Sequence, residues 1–92
     1  MPGAISGPIL LSMGRFLLVH KHAPEQCSSA WAAWRGHPSR LHGSDVTCSC
    51  VHGGHTIWWD VEAPSAEEAL ALLPGYVARS TSVVPIRRVV TP

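Results

Sequence analysis

A chain of 92 residues has the length of one domain, and a domain that short buries only about 60–65% of the surface its unfolded chain exposes. Hydrophobic residues make up 46% and charged residues 14%, well under the roughly 25% charged residues of an average globular domain, so apolar surface is left over for a partner. Seven Lys+Arg against six Asp+Glu give a net charge of +1, which provides no basic footprint for phosphate backbones or anionic lipid and argues against nucleic acid and membrane as partners.

Three cysteines, an odd number with Cys48 and Cys50 one residue apart, make no disulfide framework and point to reduced thiols in the cytoplasm. Residues 1–12 hold one short apolar run, Ile9-Leu10-Leu11, with no basic residue ahead of it. That is neither an export signal nor a membrane span. Residues 1–13 therefore read as a disordered extension and 14–92 as the domain.

The run Phe16-Leu17-Leu18-Val19 predicts a strand over 14–22, apolar on both faces as a central strand is. Pro24 and Glu25 suit a first helical turn, where proline loses no hydrogen bond and a carboxylate meets the positive dipole end. The helix expected over 24–35 is ended by Gly36 and Pro38. Its Cys27, Trp31 and Trp34 fall at i, i+4 and i+7, one face turned to the sheet. A second strand is expected over 46–52, a two-residue turn at Gly53-Gly54, and a third strand over 55–62, again apolar on both faces through Ile57, Trp58, Trp59 and Val61. Ser65 and Glu68 form a capping box for a helix over 66–73, which Pro74-Gly75 ends or kinks. A last strand over 82–90 carries Pro85, confined to an edge or a non-donating position.

The order β, α, β, β, α, β with right-handed crossovers predicts an α+β, ferredoxin-like domain: a four-stranded antiparallel sheet in order 4-1-3-2 with two helices on one face. The two doubly apolar strands are those the topology makes central. The face without helices would be covered by a second copy, giving a homodimeric α/β barrel.

That topology gathers His20 and His22, Cys27, and His52 with His55 at one end of the sheet. His20 and His22 share a face of their strand. With Gly53-Gly54 as the whole turn, His52 pairs across from His55, Cys50 from Ile57 and Cys48 from Trp59. Imidazoles and thiolates within reach of one another suit Zn, Ni or Cu ions. The expected metal ligands are His20 and His22 first, then Cys27, with His52 or His55 completing the site. Cys48 and Cys50 are expected to pack within the sheet. His37 and His42 are expected at the surface, Trp31, Trp34, Trp58 and Trp59 in core or dimer packing, and Arg87 and Arg88 as edge charges. No phosphate loop, nucleophile elbow or zincin motif is present.

The stretches His20-Lys21-His22-Ala23-Pro24-Glu25-Gln26-Cys27 and Trp59-Asp60-Val61-Glu62-Ala63-Pro64-Ser65-Ala66-Glu67-Glu68-Ala69 resemble small bacterial proteins of the dimeric α/β-barrel superfamily. The resemblance spans residues 14–90 and implies a ferredoxin-like subunit, a homodimer through the open sheet faces, and diverse roles among isomerases, oxygenases and nickel-binding proteins. The expected function is a homodimeric metal-binding protein. One alternative is a small isomerase or oxygenase in which His20 or His22 is the general base for a small apolar ligand in the barrel; another is a non-catalytic dimeric interaction module.

Overall fold

The computed structural model describes residues 13–92, and the extension expected over 1–13 lies, but for its last residue, outside the described residues. Four strands, β1 (Gly14–Lys21), β2 (Thr47–Cys48), β3 (Thr56–Ala63) and β4 (Thr81–Ile86), form one sheet in the order β2-β3-β1-β4 with every pairing antiparallel. This is the expected 4-1-3-2 order read from the other edge. The central position of β1 and β3 follows from their apolar content, because a strand flanked on both sides exposes least when both of its faces are apolar.

Helical content is smaller than expected. A 3-10 turn at Pro24–Gln26 leads into α1 (Cys27–Ala32), and the second connection carries two short helices, α2 (Ala66–Leu70) and α3 (Gly75–Ala78), in place of one helix over 66–73. Pro74 causes the break: it has no N–H to continue α2 and becomes the N-cap of α3, its carbonyl accepting from Val77 N and Ala78 N. Ser65 caps α2 as expected, its Oγ accepting from Glu68 N at 3.1 Å. The stripe expected through Cys27, Trp31 and Trp34 is corrected to Cys27, Ala30 and Trp34: Ala30 is buried and Trp31 is 38% exposed. The buried face runs through the i+3 position from Cys27 rather than the i+4 position, and Trp34 follows at i+7 in the turn after Ala32.

Alternation divides the sheet into two faces. Leu18, Ile57, Trp59, Val61 and Ala63 are buried on the inner face, where they pack with Ala69, Leu73 and Val77 of the α2–α3 connection. Trp34, after α1, stacks at 5.8 Å from Trp59. On the outer face half-buried Leu17, Val19, Trp58 and Ile86 lie among exposed Lys21, Asp60, Glu62 and Val84. Asp60 takes an ion pair with Arg15 at 2.6 Å, and Arg15 also reaches Glu62 at 3.2 Å. β4 ends at Ile86, so Arg87 and Arg88 lie beyond the sheet rather than on its edge strand. Pro85 stands in β4, an edge strand, where its missing N–H interrupts no second ladder.

The segment joining β2 to β3 departs most from expectation. Instead of a two-residue turn at Gly53-Gly54, β2 ends at Cys48 and a 3-10 turn at Cys50–His52 follows. Gly53 has φ of +85° and His55 of +49°, whereas Gly54 is not left-handed. Cys48 therefore pairs with Ile57 and Thr47 with Trp58, two residues away from the expected register. A slip of two preserves which face each residue occupies, so Cys48 still packs on the core. Ser49 pins the longer loop. Its N donates to Thr56 O at 2.9 Å, and its Oγ accepts from Thr56 N at 3.1 Å. Gly54 lies so close to the Ser49 side chain that a Cβ there would run into it.

Candidate metal centre

His22, Cys27, Cys50 and His55 each present one ligand atom, and the four atoms lie within 4.8 Å of one another. Three segments deliver them. His22 is one residue past β1, Cys27 opens α1, and Cys50 and His55 stand in the β2–β3 loop. The end of β1 is tied to that loop by a backbone bond from His22 N to His55 O at 3.2 Å, which sets the two imidazoles side by side with centroids 5.2 Å apart. His55 is a non-glycine residue in left-handed backbone, a conformation that disfavours most side chains and persists only where its surroundings hold it.

The expected ligand residues are thus distributed over three places. His22, Cys27 and His55 come together. His52 is exposed on the outside of the 3-10 turn and is not in the group. His20 is almost wholly buried, at 1% exposure, and stands behind the group rather than in it. Its Nδ1 lies 2.9 Å from Val77 O and 3.2 Å from Thr81 Oγ1, and its Nε2 lies 3.0 Å from His22 Nδ1. Both of its ring nitrogens are occupied by protein atoms. Cys50, expected to pack within the sheet, is the member that sequence reasoning missed: with the strand ended at Cys48, it turns out of the ladder and its Sγ lies 3.7 Å from His22 Nε2.

The surroundings act on these groups in a consistent direction. Burial lowers the pKa of His20, against the opposing pull of the Val77 carbonyl, and His22 is lowered by burial and then by neighbouring His55. Both rings are therefore neutral and ready to donate lone pairs at pH 7. Burial, followed by the nearby Cys27 and Cys48 thiols, pushes the Cys50 thiol up to about 11. A thiol held in that way needs a cation to become a thiolate. The Nδ1 of His55 is buried and makes no hydrogen bond, an unusual state for a buried polar atom.

No family model, curated protein or solved structure matches this chain. The chemistry of the site rests on its own residues.

Among the described residues no helix is long and apolar enough to cross a membrane. A cavity of about 180 Å³ opens beside Trp31, Trp34, Leu41, Val46 and Trp59, with His42 and Ser44 as its polar lining. None of the four clustered residues lines it. His37 and His42, expected at the surface, pack against Trp34 with centroids at 6.0 and 5.5 Å, although His42 remains exposed.

Proposed function

We propose that this chain is a metal-binding protein in which His22, Cys27, Cys50 and His55 hold one transition-metal ion, with zinc favoured over nickel and copper. The observation that carries this reading is the convergence of four ligand atoms from three segments within 4.8 Å. Tetrahedral zinc, with bonds of about 2.3 Å to sulfur and 2.0–2.1 Å to nitrogen, sets its ligand atoms about 3.3–3.8 Å apart, so side-chain shifts of about 1 Å close the cluster. Two thiolates and two imidazoles suit that geometry and that ion. The partnerless His55 Nδ1 supports the reading, because an imidazole that binds an ion compensates for the hydrogen bonds it lacks.

Four protein ligands leave no open position for substrate or water, as in structural rather than catalytic zinc sites. His20 is equally unsuited to act as a general base, since it is buried and both nitrogens are engaged. A non-enzymatic role is therefore the reading that fits. The ion would lock the end of β1, the start of α1 and the β2–β3 loop together.

Elemental analysis of untagged protein purified without chelator tests this directly. About one ion per chain is expected in the wild type and none in the Cys27→Ser/Cys50→Ser variant. An ion-free wild type, or a variant with unchanged metal content, overturns the assignment.

The proposal includes a homodimer formed through the outer face of the sheet, as in the dimeric α/β barrels the sequence resembles. Leu17, Val19, Trp58, Val84 and Ile86 supply apolar surface there, and the mutually paired charges of Arg15, Asp60 and Glu62 stand beside Leu17 and Ile86.

A further inference from the structure

We infer that His20 is the positioning residue of this centre: it fixes the His22 ring with its hydrogen on Nδ1, so that His22 meets the ion through Nε2. The inference rests on the reading of the cluster as a metal site, and its chain of hydrogen bonds can be followed atom by atom.

Val77 O is a carbonyl oxygen and can only accept, so in its 2.9 Å contact with His20 Nδ1 the hydrogen belongs to the imidazole. Thr81 points to the same assignment. Its hydroxyl hydrogen is directed to Val77 O at 2.7 Å, which leaves Oγ1 free to accept from His20 Nδ1 at 3.2 Å. His20 is 1% exposed and the polar groups it touches are a carbonyl, a hydroxyl and an imidazole, with no carboxylate to balance a charge. Burying an uncompensated cation there would be costly, so the ring is neutral. With hydrogen on Nδ1, its Nε2 carries a lone pair.

That lone pair faces His22 Nδ1 at 3.0 Å. Two acceptors would repel at such a distance, so His22 Nδ1 carries the hydrogen and donates it. Neutral His22 then has its own lone pair on Nε2, the nitrogen that lies 3.7 Å from Cys50 Sγ on the cluster side. The tautomer and the tilt of the ligating ring are selected by Val77, Thr81 and His20 before an ion arrives. Metal-bound histidines characteristically donate their second N–H to such a partner, and losing it costs about 10–100-fold in metal affinity. Here the partner is a second, buried histidine, which accounts for an imidazole in the core beside Trp59 at 6.4 Å.

The test pairs zinc affinity with the state of the ring nitrogens in the full chain. His20→Phe removes the acceptor yet leaves Val77 O bonded to Thr81, and is expected to weaken zinc binding 10–100-fold in competition with a chromophoric chelator. His20→Gln places an amide oxygen near the position of Nε2 and is expected to recover most of that loss. In the wild type, 15N spectra of the histidines with bound 113Cd should show cadmium coupling at His22 Nε2 and a hydrogen on His22 Nδ1. That spectroscopic readout requires no variant to fold, and a residue that only filled space would not determine it. Coupling at His22 Nδ1, or unchanged zinc affinity in a folded His20→Phe, overturns the inference alone. A wild type that takes up neither zinc nor cadmium overturns the metal reading and this inference with it.

Discussion

The pH dependence of ion uptake is the most direct consequence of the thiol at Cys50. Its pKa is pushed up to about 11 by burial and by the neighbouring Cys27 and Cys48 thiols, so throughout the range from pH 6.5 to 9 the ion-free protein holds a proton on that sulfur. Binding requires a thiolate, so each ion taken up must displace the proton. His22, whose pKa is lowered, is more than half neutral even at pH 6.5 and adds little to the exchange above pH 7. The sign follows: affinity rises with pH, and Cys50 alone contributes one unit of log K per pH unit, tenfold in affinity or about 1.4 kcal/mol. Across 2.5 pH units the expected gain is at least about 300-fold. Zinc titrations against a chelator of known pH behaviour measure it, and a Cys50→Ser variant should show a slope shallower by one. A wild-type slope below one, or the same slope in the variant, would show that Cys50 gives up no proton to the ion and is not a ligand.

Other expectations concern the fold that carries the site. Acidification should destabilise the ion-free protein, because His20 and His22 have depressed pKa values in the folded state; their contribution is complete above about pH 6.5 and is lost as pH falls toward the folded values. Urea midpoints at pH 7.5 and 5 measure this, and equal stability at both would contradict it. Leu18 is fully buried in central β1, so Leu18→Ala should cost about 2–5 kcal/mol out of a total of about 5–14 kcal/mol for a chain of this size; a loss under 1 kcal/mol in chemical denaturation would mean that the inner face is not the core. Trp58 lies opposite Val19 on the outer face, and Trp58→Glu should halve the mass seen by light scattering while leaving zinc affinity unchanged. A monomeric wild type, or a dimeric variant, would remove the proposed dimer.

Much of the fold was legible because local and global signals agree. The unbroken apolar runs at Phe16–Val19 and Ile57–Trp59 belong to the two central strands, and Pro24, Pro64 and Pro74 punctuate the chain where elements begin or stop. Lengths were less legible. Val46 to His52 has strand-like composition, yet only Thr47 and Cys48 pair with β3, because the bonds that Ser49 makes to Thr56 divert the backbone into a 3-10 turn. An Oγ that accepts from a backbone N–H seven residues away competes with the ladder, and composition gives no warning of it.

That diversion is also what builds the site. In the two-residue hairpin the sequence suggested, Cys50 would have stayed in the ladder opposite Ile57, and His52 would have stood beside His55. With Cys48 and Ile57 as the last strand pair and the Ser49–Thr56 bonds closing the loop, six residues, 50–55, are free to fold over the end of β1. Cys50 then swings toward His22, His52 is turned outward, and His55 is held in left-handed backbone with its carbonyl on His22 N. Gathering histidines at the end of the sheet follows from topology alone, and so was visible in the sequence. Whether Cys50 and His55 join His22 is decided by the register and length of one short strand, β2, of which only Thr47 and Cys48 keep strand partners. The ladder forgoes hydrogen bonds near its end, and the loop released by that change supplies two of the four ligand atoms.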